Sequence, residues 1–314
     1  MNAKTAAWLT FFRLPNLPTV PGDAFAGAAI ALAVTPGYVP ASLGVPELVN
    51  LLAAGAAALL IYMFGLADND IVGAEEDRTQ APKRPIPTGA ITVSQACVAR
   101  AVCLAAAVVV AVSCRLPIHW WGAAALLLGS ILLYNRQKNR WPLFGLVAMG
   151  LCRGFSLLAG AAAMRPFAPD HRILASPAVW LAVLGWTAYI SAVTWLASDE
   201  HVADQPLSAM RFLPGLTVFI PLTAMAMYPS DSRLLMGVCS LCAYGIWVVS
   251  VSPLGHSHTA DIRRRAVGGA IGALIYLQAG FMLAYPDVLL VAFVFAIFLS
   301  NAIIRKFLVA VPGS

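Results

Sequence analysis

The chain has 314 residues, of which 60% are hydrophobic and 11% charged, and it carries a net charge of +6. A soluble domain is about 25% charged, and no water-soluble fold could hide this much apolar surface. The long low-charge stretches point instead to an all-α polytopic membrane bundle, and the positive balance reflects how its loops are sided, so no nucleic acid is expected as a partner.

Taken in chain order, apolar stretches predict ten spans, at 16–34, 48–66, 93–113, 118–134, 143–164, 177–197, 212–228, 233–251, 266–283 and 288–304. Nine is the alternative, because Tyr285 and Pro286 leave a very short connection between the last two. With ten spans, fifteen of the twenty Lys and Arg residues fall on one side and four on the other, with Arg153 inside a span. Both termini are therefore expected on the cytoplasmic side. The stretch at 6–12 is short and leads into Arg13 and Pro15 without a small-residue cleavage site, so the first span is expected to stay in the mature protein. The six cysteines lie mostly in apolar spans without zinc spacing and read as small packing residues. No loop is long enough to build a core of its own, so residues 1–314 are expected to form a single membrane-embedded domain.

At the start of the first span, Asn16 and Asp23 are seven residues apart and fall near one helical face. The second span leads into Asn69, Asp70, Gly73, Glu75, Glu76 and Asp77, followed by Lys83, Arg84 and the run RPIPTG from Arg84 to Gly89. Eight of the 14 acidic residues sit in two short segments, 68–77 and 199–204. Clustered carboxylates repel one another unless a cation lies among them. If helix continues past the second span, Asp70 and Asp77 share a face, with Glu76 displaced around the axis and Glu75 roughly opposite. Oxygen ligands without His or Cys suit a hard ion such as Mg²⁺, which substrate phosphates usually complete. An acidic helix end can also be a plain solvated face, but the neighbouring Lys83 and Arg84 add the positive charge that a diphosphate needs.

Further along, Tyr134 and Lys138 stand at the end of the fourth span, where both are also ordinary interface anchors. Arg153 is an ionisable group inside a span, and such a group implies a cavity or a partner; pairing with Asp23 would make both structural. After the sixth span, Glu200 and Asp204 are four apart on one helical face, either as a second metal-facing pair or as part of a solvated loop. His201 between them has no assigned role.

These motifs resemble those of the UbiA superfamily of intramembrane prenyltransferases, whose NDxxDxxxD is followed by RPIPSG. Here Asn69, Asp70, Gly73 and Asp77 occupy the first motif, with RPIPTG after it, so the family's middle Asp is replaced by Gly73. Glu76 or Glu75 is the nearest substitute. Residues 199–204 loosely match the family's second acidic motif, and Tyr134 with Lys138 its YxxxK element. The resemblance implies a helical bundle around a central cavity. It implies Mg²⁺ held by Asn69, Asp70, Asp77, Glu200 and Asp204, with Asp70, Asp77 and Arg84 catalytic and Asn16, Arg84, Tyr134 and Lys138 binding substrate. The implied partners are an isoprenoid diphosphate, a lipophilic acceptor and membrane lipids, and the implied location is a bacterial cytoplasmic membrane. The run from Arg13 to Gly22, together with Thr194, Ser198 and Glu200, is similar to the divergent EboC-type branch, which brings in a second reading: a repurposed relative that binds or moves an isoprenoid-like molecule. A secondary transporter would show paired broken helices in both halves, and Pro18 and Pro21 have no such counterpart.

Overall fold

The computed structural model describes residues 2–35, 43–138, 140–164, 173–198, 209–220, 223, 232–255, 259–285 and 287–309. Among these residues the ordered elements are all helical, as expected. Helix α1 (Ala3–Phe11) is capped by the Asn2 side chain, and Arg13, two residues beyond its end, adopts a left-handed conformation. A short 3₁₀ turn then enters α2 (Thr19–Ala33), and α3 (Val45–Val72) runs straight on to α4 (Ala74–Gln80) across Gly73. The Gly73 N–H closes the last turn of α3 on the Asn69 carbonyl, and the Asp77 N–H opens α4 on the Gly73 carbonyl, so the two helices meet at this one residue.

The RPIPTG run folds into a compact turn, with Gly89 at φ +74°, a conformation that favours glycine. The turn delivers the chain to α5 (Val93–Ser113), whose start is fixed by a capping box between Thr92 and Gln95. There follow α6 (Ile118–Gln137), α7 (Pro142–Ala163), α8 (Pro177–Ser198), α9 (Ser232–Val251), α10 (Ala260–Ala284) and α11 (Val288–Val309).

Among the described residues, seven helices are long and apolar enough to cross a membrane, and two shorter apolar helices lie at Thr19–Ala33 and Leu289–Ile303. The second span is longer than expected, so the acidic motif begins on its last turn. The last two expected spans are separate helices. Asp287, buried between them, accepts from the backbone N–H groups of Leu289, Leu290 and Leu43 and so caps α11. The stretch expected as a span at 212–228 opens instead as a 3₁₀ helix, Ala209–Phe219. Pro214 inside it lacks the N–H that α-helical bonding needs. Residues 221–222 and 224–230 lie outside the described residues.

Packing follows the logic of a lipid solvent. On α5 the buried positions are the small residues Ala96, Cys103, Ala107 and Ala111, which let it lie close along α3. Val98, Val102, Val109 and Val112 point outward and are exposed. Such an apolar outer face is stable against lipid and not against water. Between α2 and α7 the backbones nearly touch: a Cβ on Gly27 would collide with the Leu157 carbonyl, and one on Gly160 with that of Ala24.

Candidate active site

The last turns of α3 present Asp68, Asn69 and Asp70 in succession, all buried. Asp68, 0% exposed, anchors this end of the helix. Its carboxylate accepts from Arg100 of α5 at 2.8 Å and from Asn135 of α6 at 2.9 Å, with Arg136 at 3.6 Å. Asn135 also donates to the Gly65 carbonyl, so α3, α5 and α6 are tied together one residue before the motif.

Asp70 and Asp77 come together near Arg84 as their seven-residue spacing implies, Asn69 donates to Asp70 beside them, and three cations surround the group. One Nη of Arg84 lies 2.7 and 2.8 Å from the two Asp77 oxygens and 3.9 Å from Asp70. The RPIPTG turn folds Arg84 back over α4 and so makes these contacts. Lys138, just beyond α6, donates to the Asn69 carboxamide oxygen at 2.6 Å and sits 5.6 Å from the Tyr134 ring centre. Burial lowers the Lys138 pKa from the usual lysine value; Arg13 and Arg84 push it further down, and Glu76 and Asp77 oppose them.

The third cation is Arg13, which was not among the site residues expected from the sequence. Phe11 of α1 packs on Ala67, Ile91 and Ala96 at this end of the bundle. The left-handed turn that follows directs the Arg13 guanidinium to 3.4 Å from Asp70. Its signals in the sequence were an arginine directly before a Pro-rich turn and the aromatic residues Trp8, Phe11 and Phe12. Asn16 lies in the same turn, half-buried, with its backbone carbonyl accepting from the Thr19 hydroxyl, and it does not line the cleft described below. Glu75 pairs with exposed Arg78, whereas Glu76 lies close enough to Lys138 to act on its charge. Glu200, Asp204 and His201 lie outside the described residues.

A cleft of about 570 Å³, part of it open to solvent, runs from this cluster into the bundle between α2, α3, α6 and α7. Arg13, Asn69, Tyr134 and Asn135 line one end and Arg153 and Ser156 the other, with Tyr62, Leu127, Ile131 and Met149 along the walls. On α3 the lining extends from Ala58 to Asn69, about 16 Å of helical rise. At the inner end Arg153 pairs with Asp23, the partner alternative raised for these two residues, while Arg153 also lines the cleft. Arg153 also donates to the Thr19 carbonyl and hydroxyl, while Trp186 and Gln278 donate to the other Asp23 oxygen at 2.8 and 2.7 Å. The Arg153–Asp23 contact is close and buried. It is an ion pair whose geometry the surrounding donors hold.

Chemically, the outer end offers oxygen donors for a hard cation: the Asp70 and Asp77 carboxylates and the Asn69 carboxamide. Among the described residues no trio of His, Cys, Asp or Glu converges on one point. Two carboxylates and an amide fit an ion such as Mg²⁺, which retains waters and takes phosphate oxygens. Each of these three residues faces a cationic side chain, Arg13 or Arg84 at the acids and Lys138 at the carboxamide, so anion-binding groups stand beside the oxygen donors that would hold a metal.

Comparison with known proteins bears on the fold and the family. The family model described as UbiA prenyltransferase family matches residues 30–266. The apo structure of a UbiA homologue from Aeropyrum pernix K1 is 18% identical with a TM-score of 0.61, covering 84% of this chain and 97% of its own. A UbiA homologue from Archaeoglobus fulgidus is 12% identical with a TM-score of 0.60, covering 93% and 98%. A digeranylgeranylglyceryl phosphate synthase structure is 15% identical with a TM-score of 0.58, covering 90% and 99%. No curated protein matches the chain. With the motifs, the membrane-spanning helices and three quarters of the length in agreement, the chain belongs to the UbiA prenyltransferase family.

Proposed function

We propose that this protein transfers an isoprenyl group from an isoprenoid diphosphate to a lipophilic acceptor within the membrane, with the acidic end of the bundle facing the cytoplasm and residues 1–314 acting as one membrane-embedded unit. The observation that carries this reading is the continuity between the Asn69–Asp70–Asp77 cluster, with its three cations, and the mostly apolar cleft beneath it. A diphosphate head suits the first and a hydrocarbon tail the second.

In this reading Asn69, Asp70 and Asp77, together with Glu200 and Asp204, would hold Mg²⁺. When bound, Mg²⁺ offsets the charge of the diphosphate. Arg84, Arg13 and Lys138 bind the phosphate oxygens and stabilise the charge that grows on them as the C1–O bond breaks and the diphosphate leaves with the electron pair. Asp68 fixes the end of α3 and so the position of the motif. Tyr134 lies beside Lys138 at the top of the cleft, where its ring faces the developing allylic cation. The apolar walls exclude water, and the acceptor supplies the electron pair for the new bond to C1 and gives up a proton. Asn16 belongs to this reading only as a shaper of the turn that carries Arg13.

The second reading, a relative that binds an isoprenoid-like molecule without turnover, is favoured by one observation: Gly73 leaves the motif a carboxylate short. Binding of a nonhydrolysable isoprenoid diphosphate analogue, measured with and without Mg²⁺, tests the proposal. Binding should depend on Mg²⁺ and weaken about tenfold or more in Asp70→Ala and in Asp77→Ala, as for loss of a charge-assisted contact. Mg²⁺-independent binding, or none, overturns it. Mg²⁺-dependent binding without diphosphate release across a broad acceptor panel selects the second reading.

A further inference from the structure

The inner end of the cleft is polar in a region that a hydrocarbon tail does not need to be polar. Ser156 lies there one helical turn beyond Arg153, lines the cleft and is 2% exposed, and its Oγ has no hydrogen-bond partner among the described residues. The usual refuge for a helical hydroxyl is the carbonyl four residues earlier. Thr35, Ser130 and Thr194 each take that bond in this protein. Ser156 does not, so a residue that lines the cleft is left with its hydroxyl unpaired.

Its neighbour Arg153 does not make this end an anion site. Asp23, 0% exposed, already compensates the Arg153 charge, and Thr19, Trp186 and Gln278 lock both members of the pair. A carboxylate placed beside Arg153 would be stripped of water and would also face the Asp23 charge. A neutral group meets no such opposition and finds an unpaired hydroxyl able to donate or accept.

We infer that the inner end of the cleft is a subsite for a neutral hydrogen-bonding group, a hydroxyl or carbonyl carried by a lipophilic ligand, with Ser156 as its partner and the Arg153–Asp23 pair excluding carboxylates. This rests on the proposed function in one respect only: there, the ligand is the acceptor, which is then a phenol, alcohol or ketone in class and not an acid. The isoprenoid tail has no polar group to place here.

The test uses full-length protein in neutral phosphatidylcholine nanodiscs and three shape-matched probes, 4-hexylphenol, 4-hexylbenzoate and hexylbenzene. Wild-type protein should bind the phenol about fivefold or more tightly than hexylbenzene, the value of one hydrogen bond, and should disfavour the benzoate. Partition into lipid is the same for every protein variant, so the decisive quantity is the ratio of phenol to hexylbenzene affinity in wild type against Ser156→Ala. That ratio should fall to near one in Ser156→Ala and be retained in Ser156→Thr, with melting temperatures confirming that both variants fold. An unchanged ratio in Ser156→Ala, or wild-type binding of the benzoate as tight as the phenol, overturns the inference. The diphosphate analogue is titrated in the same wild-type preparation. If the analogue binds and the phenol shows no preference, the subsite alone fails; if the phenol preference stands and the analogue does not bind, the prenyltransferase reading alone fails.

Discussion

Restoring the missing carboxylate by Gly73→Asp tests how the motif handles its charge. Gly73 has φ −86° and ψ 3°, so its backbone makes no demand for glycine. An added Cβ would lie 3.1 Å from the Asn69 carbonyl, which must yield by a few tenths of an ångström, and 3.9 Å from an Asp77 oxygen. The new carboxylate thus stands next to an existing one. Two like charges about 4 Å apart repel by up to about 4 kcal/mol at an effective dielectric constant of about 20. Arg84 stays on Asp77, and water reaches this end of the bundle, so the net loss of metal-free stability should be about 1–2 kcal/mol. Mg²⁺ reverses the sign: a third carboxylate should tighten its binding about tenfold, or about 1.4 kcal/mol. The assay is thermal unfolding of wild type, Gly73→Asp and Gly73→Asn across a Mg²⁺ titration, since a bound ligand raises stability with its concentration over Kd. The Asn variant adds the same Cβ without the charge. If Mg²⁺ stabilises all three variants alike, or if Gly73→Asp is the most stable without metal, the placement of a cation between residues 70 and 77 is refuted.

Two further outcomes follow from the cations. Because the Lys138 pKa is lowered, the folded chain holds fewer protons than the unfolded one between that lowered value and the usual lysine value, so ligand-free stability rises with pH across this window. Binding of the diphosphate analogue needs the ammonium and should fall across the same window; Lys138→Met should abolish both trends, and an unchanged pH profile in that variant would count against a direct role. Deeper in the bundle, Arg153→Met leaves Asp23 buried and uncompensated, at a cost of about 3–5 kcal/mol. The double variant Asp23→Leu/Arg153→Met should recover most of that in melting experiments, and no recovery would mean that the two residues act independently.

The membrane architecture was legible from the sequence because 11% charge leaves few other solutions; Asp70 and Asp77 were legible because they stand seven apart on one helical face, Asn69 from its motif, and Arg84 because the RPIPTG turn is local. Lys138 could be named from its motif, but its contact with Asn69 spans 69 positions and appears only once α3 and α6 are packed. Arg13 was missed for a related reason: it reaches Asp70 through a left-handed turn and an aromatic contact of α1, neither of which leaves a periodic trace. Asp68 seemed one acid among five, yet Arg100 and Asn135, on two other helices, make it the anchor of the motif. Hydropathy read 212–228 as a span by averaging over Pro214, whose local effect on the backbone an average cannot register.

The seam between α2 and α7 gives the two sides of the cleft different mechanical characters. With Gly27 and Gly160 leaving no room for even a methyl group, these helices share one rigid spine, and the polar lock of Thr19, Asp23 and Arg153 stands on it with nothing to slide. The facing side is furnished by side chains, Tyr62 on α3 and Leu127 and Ile131 on α6, which can exchange volume for volume without moving a backbone. The molecule therefore works like a vice with one fixed jaw: orientation of the occupant is set from the spine, and the length and girth admitted are adjusted from the opposite jaw.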